Sequence, residues 1–185
     1  MDAAFYNDLR SPFLTADIGA PMSLASTSKA LYAAGDFPVL GGNYWYVGKK
    51  LNIKAFGRLT TAATPGNLTV ELYWGTGADA NGTVVVTSAA VALQANQTSM
   101  SWFVDLMVHC RTIGSSGRLF GVGEFGCNPA LIASTAQPVM LPASVPAQSA
   151  AIDLTAASIL SLQMKRSGNT AETVILHDLS VIAMN

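Results

Sequence analysis

The chain has 185 residues, half of them apolar and only 11% charged, against roughly 25% charged in an average soluble domain. Ten basic and eleven acidic residues leave a net charge of −1, which argues against the phosphate-neutralising surface of a nucleic-acid binder and against the high net charge of a disordered chain. Length and apolar content suit one domain with a real core, and a surface so poor in charge points to a subunit covered by neighbours.

Residues 1–21 mix Phe5, Tyr6 and Phe13 with Pro12 and Pro21 and show no two- or four-residue period. They are expected to form an extended arm that packs onto something. Their opening, MDAAFYNDLRSPF, lacks the basic and apolar regions of a secretory leader. Residues 22–34 are expected as an edge strand. Lys50 to Thr61 alternates, with Leu51, Ile53, Ala55 and Gly57 on one face and Asn52, Lys54, Phe56 and Arg58 on the other. A proline-glycine turn at 64–67 leads to Leu68, Val70, Leu72 and Trp74, alternating with Thr69, Glu71 and Tyr73. Such a two-residue period predicts strands with one buried face.

A loop at 75–82 ends in Asn81-Gly82, a hairpin-favouring pair. Thr83 to Thr87 is a short strand that Val91 to Gln94 is expected to continue. Ser101 to Arg111 has Trp102, Val104, Leu106, Val108 and Cys110 on one face. It is followed by a glycine-rich turn at 113–117 and a strand from Arg118 to Phe125. Four prolines between 126 and 157 predict a long connection, with one extended piece at Val139–Leu141. The last strands are Ile159 to Arg166 and Glu172 to Met184. About eight strands at this spacing predict an all-β, jelly-roll-type sandwich of antiparallel strands. No twelve-residue window carries a helical apolar stripe, and no apolar run is long enough to cross a membrane as a helix.

Candidate chemistry is sparse. Gly121-Val-Gly-Glu-Phe-Gly126 spells G-x-G-x-x-G, but a proline-rich stretch follows it where a nucleotide fingerprint needs a helix. His109 and His177, with Cys110 and Cys127, do not have the spacing of a metal site. A hairpin about 114–117 would set Cys110 opposite residue 120 and Cys127 near 103, so two free thiols are expected. Glu71, Asp105 and Glu124 are the carboxylates that would serve glycoside hydrolysis if strands brought them together. Tyr44, Trp45 and Tyr46 form an aromatic cluster suited to subunit contact, to capping the sandwich end, or to stacking on a glycan.

The stretches Gly48 to Thr61 (GKKLNIKAFGRLTT) and Thr64 to Gly75 (TPGNLTVELYWG) resemble a widespread type of tailed-bacteriophage virion protein. So do Trp102 to Cys110, Arg111 to Gly117 (RTIGSSG) and the ending Leu176 to Asn185 (LHDLSVIAMN). The resemblance spans 22–185 and implies a jelly-roll module of virion decoration, cement, fibre or tail components, commonly a homotrimer. It carries no catalytic motif. The expectation is therefore a non-enzymatic capsid decoration (cement) protein, made in the bacterial host cytoplasm and bound to the outer capsid surface. Its partners would be its own copies and the major capsid protein, with no cofactor, metal, nucleic acid or membrane. Phe5, Tyr6, Arg10 and Phe13 of the arm are the expected capsid contacts, since aromatics and arginine dominate interface hot spots. The alternative is a tail, fibre or baseplate module touching a host receptor or glycan through Tyr44, Trp45 and Tyr46.

Overall fold

The computed structural model describes residues 22–32, 37, 39–133, 137–145, 147–168 and 171–184. Twelve strands are present: β1 (Met22–Ser23), β2 (Lys29–Ala30), β3 (Val39–Leu40), β4 (Lys50–Thr60), β5 (Asn67–Gly75), β6 (Thr83–Thr87), β7 (Val91–Ala92), β8 (Met100–Thr112), β9 (Arg118–Cys127), β10 (Val139–Leu141), β11 (Ser158–Arg166) and β12 (Thr173–Ala183). They form two antiparallel sheets. The larger runs β1-β12-β4-β8-β9-β10 and the smaller β2-β11-β5-β6, with β3 on β11 and β7 on β5. The expected all-β sandwich is present. Its wrapping is nested: the first long strand pairs with the last (β4 with β12) and the second with the second-last (β5 with β11).

Alternation places the core. Leu51, Ile53 and Ala55 of β4, Trp102, Val104, Leu106, Val108 and Cys110 of β8, and Val174, Leu176, Leu179 and Val181 of β12 point inward from the larger sheet. Val70, Leu72 and Trp74 of β5 meet them from the smaller sheet with Leu160, Leu162 and Met164 of β11. Each such side chain contributes about 1.5–3 kcal/mol when fully buried. At Gly121 the sheets pack too closely for a side chain, since a Cβ there would stand 2.7 Å from the Val86 side chain. The G-x-G-x-x-G sequence thus lies within β9, in close sheet packing. The β8–β9 turn uses Gly114 at φ +95°, a conformation costly for other residues.

Several expectations need correction. Residues 22–34 supply two separate two-residue strands, one on each sheet. Val91–Ala92 continues β6 along the same side of β5, as expected, but after an irregular stretch at 88–90. The connection after β9 carries the expected extended piece as edge strand β10, together with a 3-10 turn at Pro129–Leu131 that was not expected. The larger correction concerns the smaller sheet, which is buried on both faces. Glu71, Ser161 and Gln163 point away from the core, yet they are 4%, 0% and 0% exposed.

The covering layer explains this. Ser28 donates to Glu71, Leu31 N–H donates to the Leu162 carbonyl at 3.1 Å, and Lys165 pairs with Glu71 at 2.7 Å. The loop after β5 folds over the same face. Gln163 accepts from Ala80 N–H at 2.8 Å and donates to the Ala78 carbonyl at 3.0 Å. Asp79 reaches across to Lys29 Nζ at 2.6 Å and Ala30 N–H at 2.9 Å. Polar side chains with fixed partners can be buried where unpaired ones cannot.

Burial by itself would raise the Glu71 carboxyl; the Lys165 ammonium and the Ser28 and Tyr73 hydroxyls outweigh it and hold the group below its ordinary value of 4.5. A carboxyl depressed in the folded state stabilises fully above its unfolded pKa, and the contribution disappears as pH falls through the folded pKa. Denaturant melts from pH 6 down to pH 2 are expected to show a steeper acid loss in the native chain than in Glu71→Gln, the two curves converging at the acid end. A second buried charge pair ties both sheets to the chain's start. Arg166 Nε lies 3.3 Å from Glu172, donates to the Leu24 carbonyl at 2.9 Å, and Glu172 accepts from Gly66 N–H at 3.0 Å. Glu172→Ala leaves Arg166 buried beside no anion and is expected to cost about 3–5 kcal/mol in chemical denaturation.

Candidate interaction surface

The outer face of the larger sheet has no such cover among the described residues. Cross-strand register sets out its rows. Asp178, Phe56, Phe103 and Gly126 form one; Ser180, Lys54, Asp105, Glu124 and Met140 form the next; Ile182, Asn52, Met107 and Val122 the third; Lys50, His109 and Phe120 the last. Phe56 is 47% exposed, Met140 58% and Ile182 36%, with Met184 at the strand end. Phe103, Met107, Phe120 and Val122 are half-buried around them. Gly126 opposes Phe103, whose ring occupies the space that a Cβ there would fill. A β-bulge in β12 between Leu176 and Asp178 sets His177 and Asp178 beside Phe56. Each of the two keeps a buried polar atom with no hydrogen-bond partner among the described residues.

Charge on this face is segregated. Asp105, Glu124 and Asp178 lie in its middle, with Lys54 at 3.2 Å from Asp105 and Asn52 donating to Asp105 at 2.7 Å. Lys50, His109 and Arg111 gather at one end, where Arg111 stacks 4.9 Å from the Phe120 ring centre and His109 meets its edge. Desolvation first, then the Arg111 and Lys50 charges, push the His109 imidazole below its ordinary value.

The aromatic cluster separates into three environments. Trp45 is 4% exposed and packs edge-on against Trp74 at 6.1 Å in the core. Tyr44 is half-buried against it at 5.6 Å, its hydroxyl pushed up to about 12 by burial, then by Tyr46. Tyr46 is exposed, and Lys49 sits 3.8 Å from the Tyr44 ring centre and 5.1 Å from that of Tyr46. Trp45 therefore closes one end of the sandwich, and Tyr46 is the accessible ring. Phe5, Tyr6, Arg10 and Phe13 lie outside the described residues.

The other candidates do not converge. Glu71 is on the smaller sheet, under its covering layer, while Asp105 and Glu124 are cross-strand neighbours on the larger. Among the described residues no three His, Cys, Asp or Glu side chains are placed to hold a metal ion. Cys110 lies opposite Leu119 and Cys127 opposite Trp102, each within a residue of the expected register, and both thiols are free. Burial raises both, Cys127 to about 11, which favours the protonated thiol over the thiolate. Among the described residues no helix is long and apolar enough to cross a membrane. No family model, curated protein or solved structure matches the chain.

Sequence reasoning missed this face, although Phe56, Met107 and Val122 stood on the outward side of the alternation. The signal was apolar residues recurring on the side predicted to face water. A double variant, Phe56→Thr with Met140→Thr, puts β-branched residues, which suit a strand, at both positions. Its unfolding free energy is expected to stay within about 1 kcal/mol of the native value, while any self-association measured by light scattering is weakened.

Proposed function

We propose that this chain is a structural virion protein of a tailed bacteriophage, a decoration (cement) subunit that assembles as a homotrimer on the outer capsid surface. The observation that carries the reading is the unequal treatment of the two sheet faces. The smaller sheet is sealed by the chain itself, whereas the larger presents Phe56, Met140 and Ile182 to solvent around a charged row of Lys54, Asp105 and Glu124. The resemblance of 22–185 to phage virion modules gives that face its context. A second copy suits it through charge. The acidic middle (Asp105, Glu124, Asp178) can meet the cationic end (Lys50, His109, Arg111) of a neighbour, a heterologous contact that closes into a ring when the rotation allows.

In this reading the protein works by association and makes no covalent change. An arm engaging one capsid subunit is weak by itself. Three arms tied in one trimer act at high effective concentration, so binding becomes tight without new contact types. Binding the assembled shell in preference to its dissociated parts stabilises it by mass action. The alternative reading, a tail or fibre module for a glycan, draws on Tyr46 beside Lys49 as an accessible ring next to a cation.

The test is co-sedimentation with bare capsids of the protein's own virus, paired with mass in solution. A mass near three times 19.3 kDa and pelleting with capsids are expected. Removing residues 1–15 is expected to abolish pelleting and leave the trimer mass unchanged. A monomer that ignores capsids would overturn the reading.

A further inference from the structure

Along β8 the outward positions change character with distance. Asp105 lies beside Glu124 in one row, Met107 and Val122 occupy the next, and His109 stands between Lys50 and Phe120 in the row after. Arg111 follows two residues on, its guanidinium 4.9 Å from the Phe120 ring centre, while the imidazole meets the edge of the same ring with centroids 6.0 Å apart. One aromatic ring therefore holds both groups. On β9 the exposed Arg118, opposite Thr112, adds a further cation, and at the end of β12 Met184 donates its N–H to the Lys50 carbonyl. Among the described residues the His109 and Arg111 rows contain no carboxylate. Asp153, on the segment beside the 113–117 turn, accepts from the Thr155 amide and hydroxyl at 2.8 and 2.6 Å. Asp105 is four residues back along β8, about 13 Å at roughly 3.3 Å per residue, and Lys54 and Asn52 already engage it at 3.2 and 2.7 Å. That separation exceeds the roughly 8 Å over which physiological salt screens exposed charges.

We propose that His109 gates self-association by pH, so that copies of this chain join more tightly in mildly acidic solution. The inference rests on the reading that a neighbour's acidic middle meets this end of the sheet. In a lone subunit, a proton on His109 faces the Arg111 and Lys50 charges with no carboxylate among the described residues of its rows. The imidazole is accordingly held below its ordinary value of 6.5, by burial first and then by those two cations. The Asp105 and Glu124 side chains of a second copy, brought against the same end, supply the anion and favour the charged imidazole. His109 therefore holds its proton more readily in the assembly than alone. By linkage, association takes up protons. It strengthens as pH falls from above the assembled value towards the free one. Arginine and lysine cannot supply this response, since they stay charged across the whole range. The chain's other histidine, His177, lies at the β12 bulge beside Phe56, three rows away, so substitution separates the two.

The test is sedimentation velocity of the full chain over a dilution series at low salt, from about pH 7.5 down to about pH 5, above the ordinary carboxyl range. The native chain is expected to associate more tightly at the acid end, by about tenfold per contact for a one-unit rise in the imidazole's pKa on assembly. His109→Gln keeps a polar group on the strand and is expected to flatten the profile, whereas His177→Gln leaves it in place. The imidazole NMR signals of the native chain give a second measurement that needs no variant: the His109 midpoint is expected to rise from dilute to concentrated protein. Association that is equal at both ends of the range, or weaker in acid, would overturn the inference and leave the second-copy reading standing. An unchanged acid profile in His109→Gln would assign the effect to another group and overturn it as well. A chain that stays monomeric at every pH and concentration would overturn both.

Discussion

Glu71 holds its charge beneath the chain's own covering layer, and the architecture turns on how that charge is satisfied. A carboxylate taken out of water costs several kcal/mol unless it is paired and hydrogen-bonded. Here Lys165, Ser28, Tyr73 and Thr87 all converge on it. Because those partners come from β5, β6, β11 and the segment before β2, satisfying one charge fixes four pieces of chain. Asp79 and Gln163 repeat the arrangement for the loop after β5. The smaller sheet is therefore completed by its own polypeptide.

The larger sheet has a different outer surface. Its outward rows carry Phe56, Met107, Val122 and Met140 around a charged row of Lys54, Asp105 and Glu124. The low charge of the whole sequence acquires a location in this way. What reads in composition as a poorly solvated surface is, in three dimensions, partly the outer face of the larger sheet, with Phe56, Met140 and Ile182 exposed on it. Such a face, apolar rings and thioethers around a few charges, is one that another polypeptide fits.

Much of the fold was legible because strand alternation is a local signal. Trp102 to Cys110 and Leu68 to Trp74 declared their buried sides residue by residue, and the turn at 113–117 set the β8–β9 register to within one residue. The polar side of the smaller sheet was not legible. Ser161, Gln163 and Glu71 look like solvated positions in sequence, and only the covering of residues 22–32 and 76–82, distant in the chain, makes them interior. The division of the expected first strand into β1 and β2, one on each sheet, was likewise invisible, since two residues carry no period.

The site was legible in part. The aromatic triplet was visible, but its division into a core tryptophan, a half-buried tyrosine and an exposed tyrosine depends on Trp74 across the sandwich. The outer face of the larger sheet needed the register between β12, β4, β8 and β9, which places residues as far apart as Phe56 and Met140 on one surface. The central claim is that this surface is occupied when the protein does its work. Hydroxyl-radical footprinting of the free protein and of intact virions tests it most directly, because methionine and phenylalanine side chains record solvent access by oxidation. The account predicts that Phe56, Met140 and Met184 are oxidised less in the virion, while Val145 and Ile113, exposed elsewhere, change little. Equal oxidation of Phe56 and Met140 in the two states would contradict it.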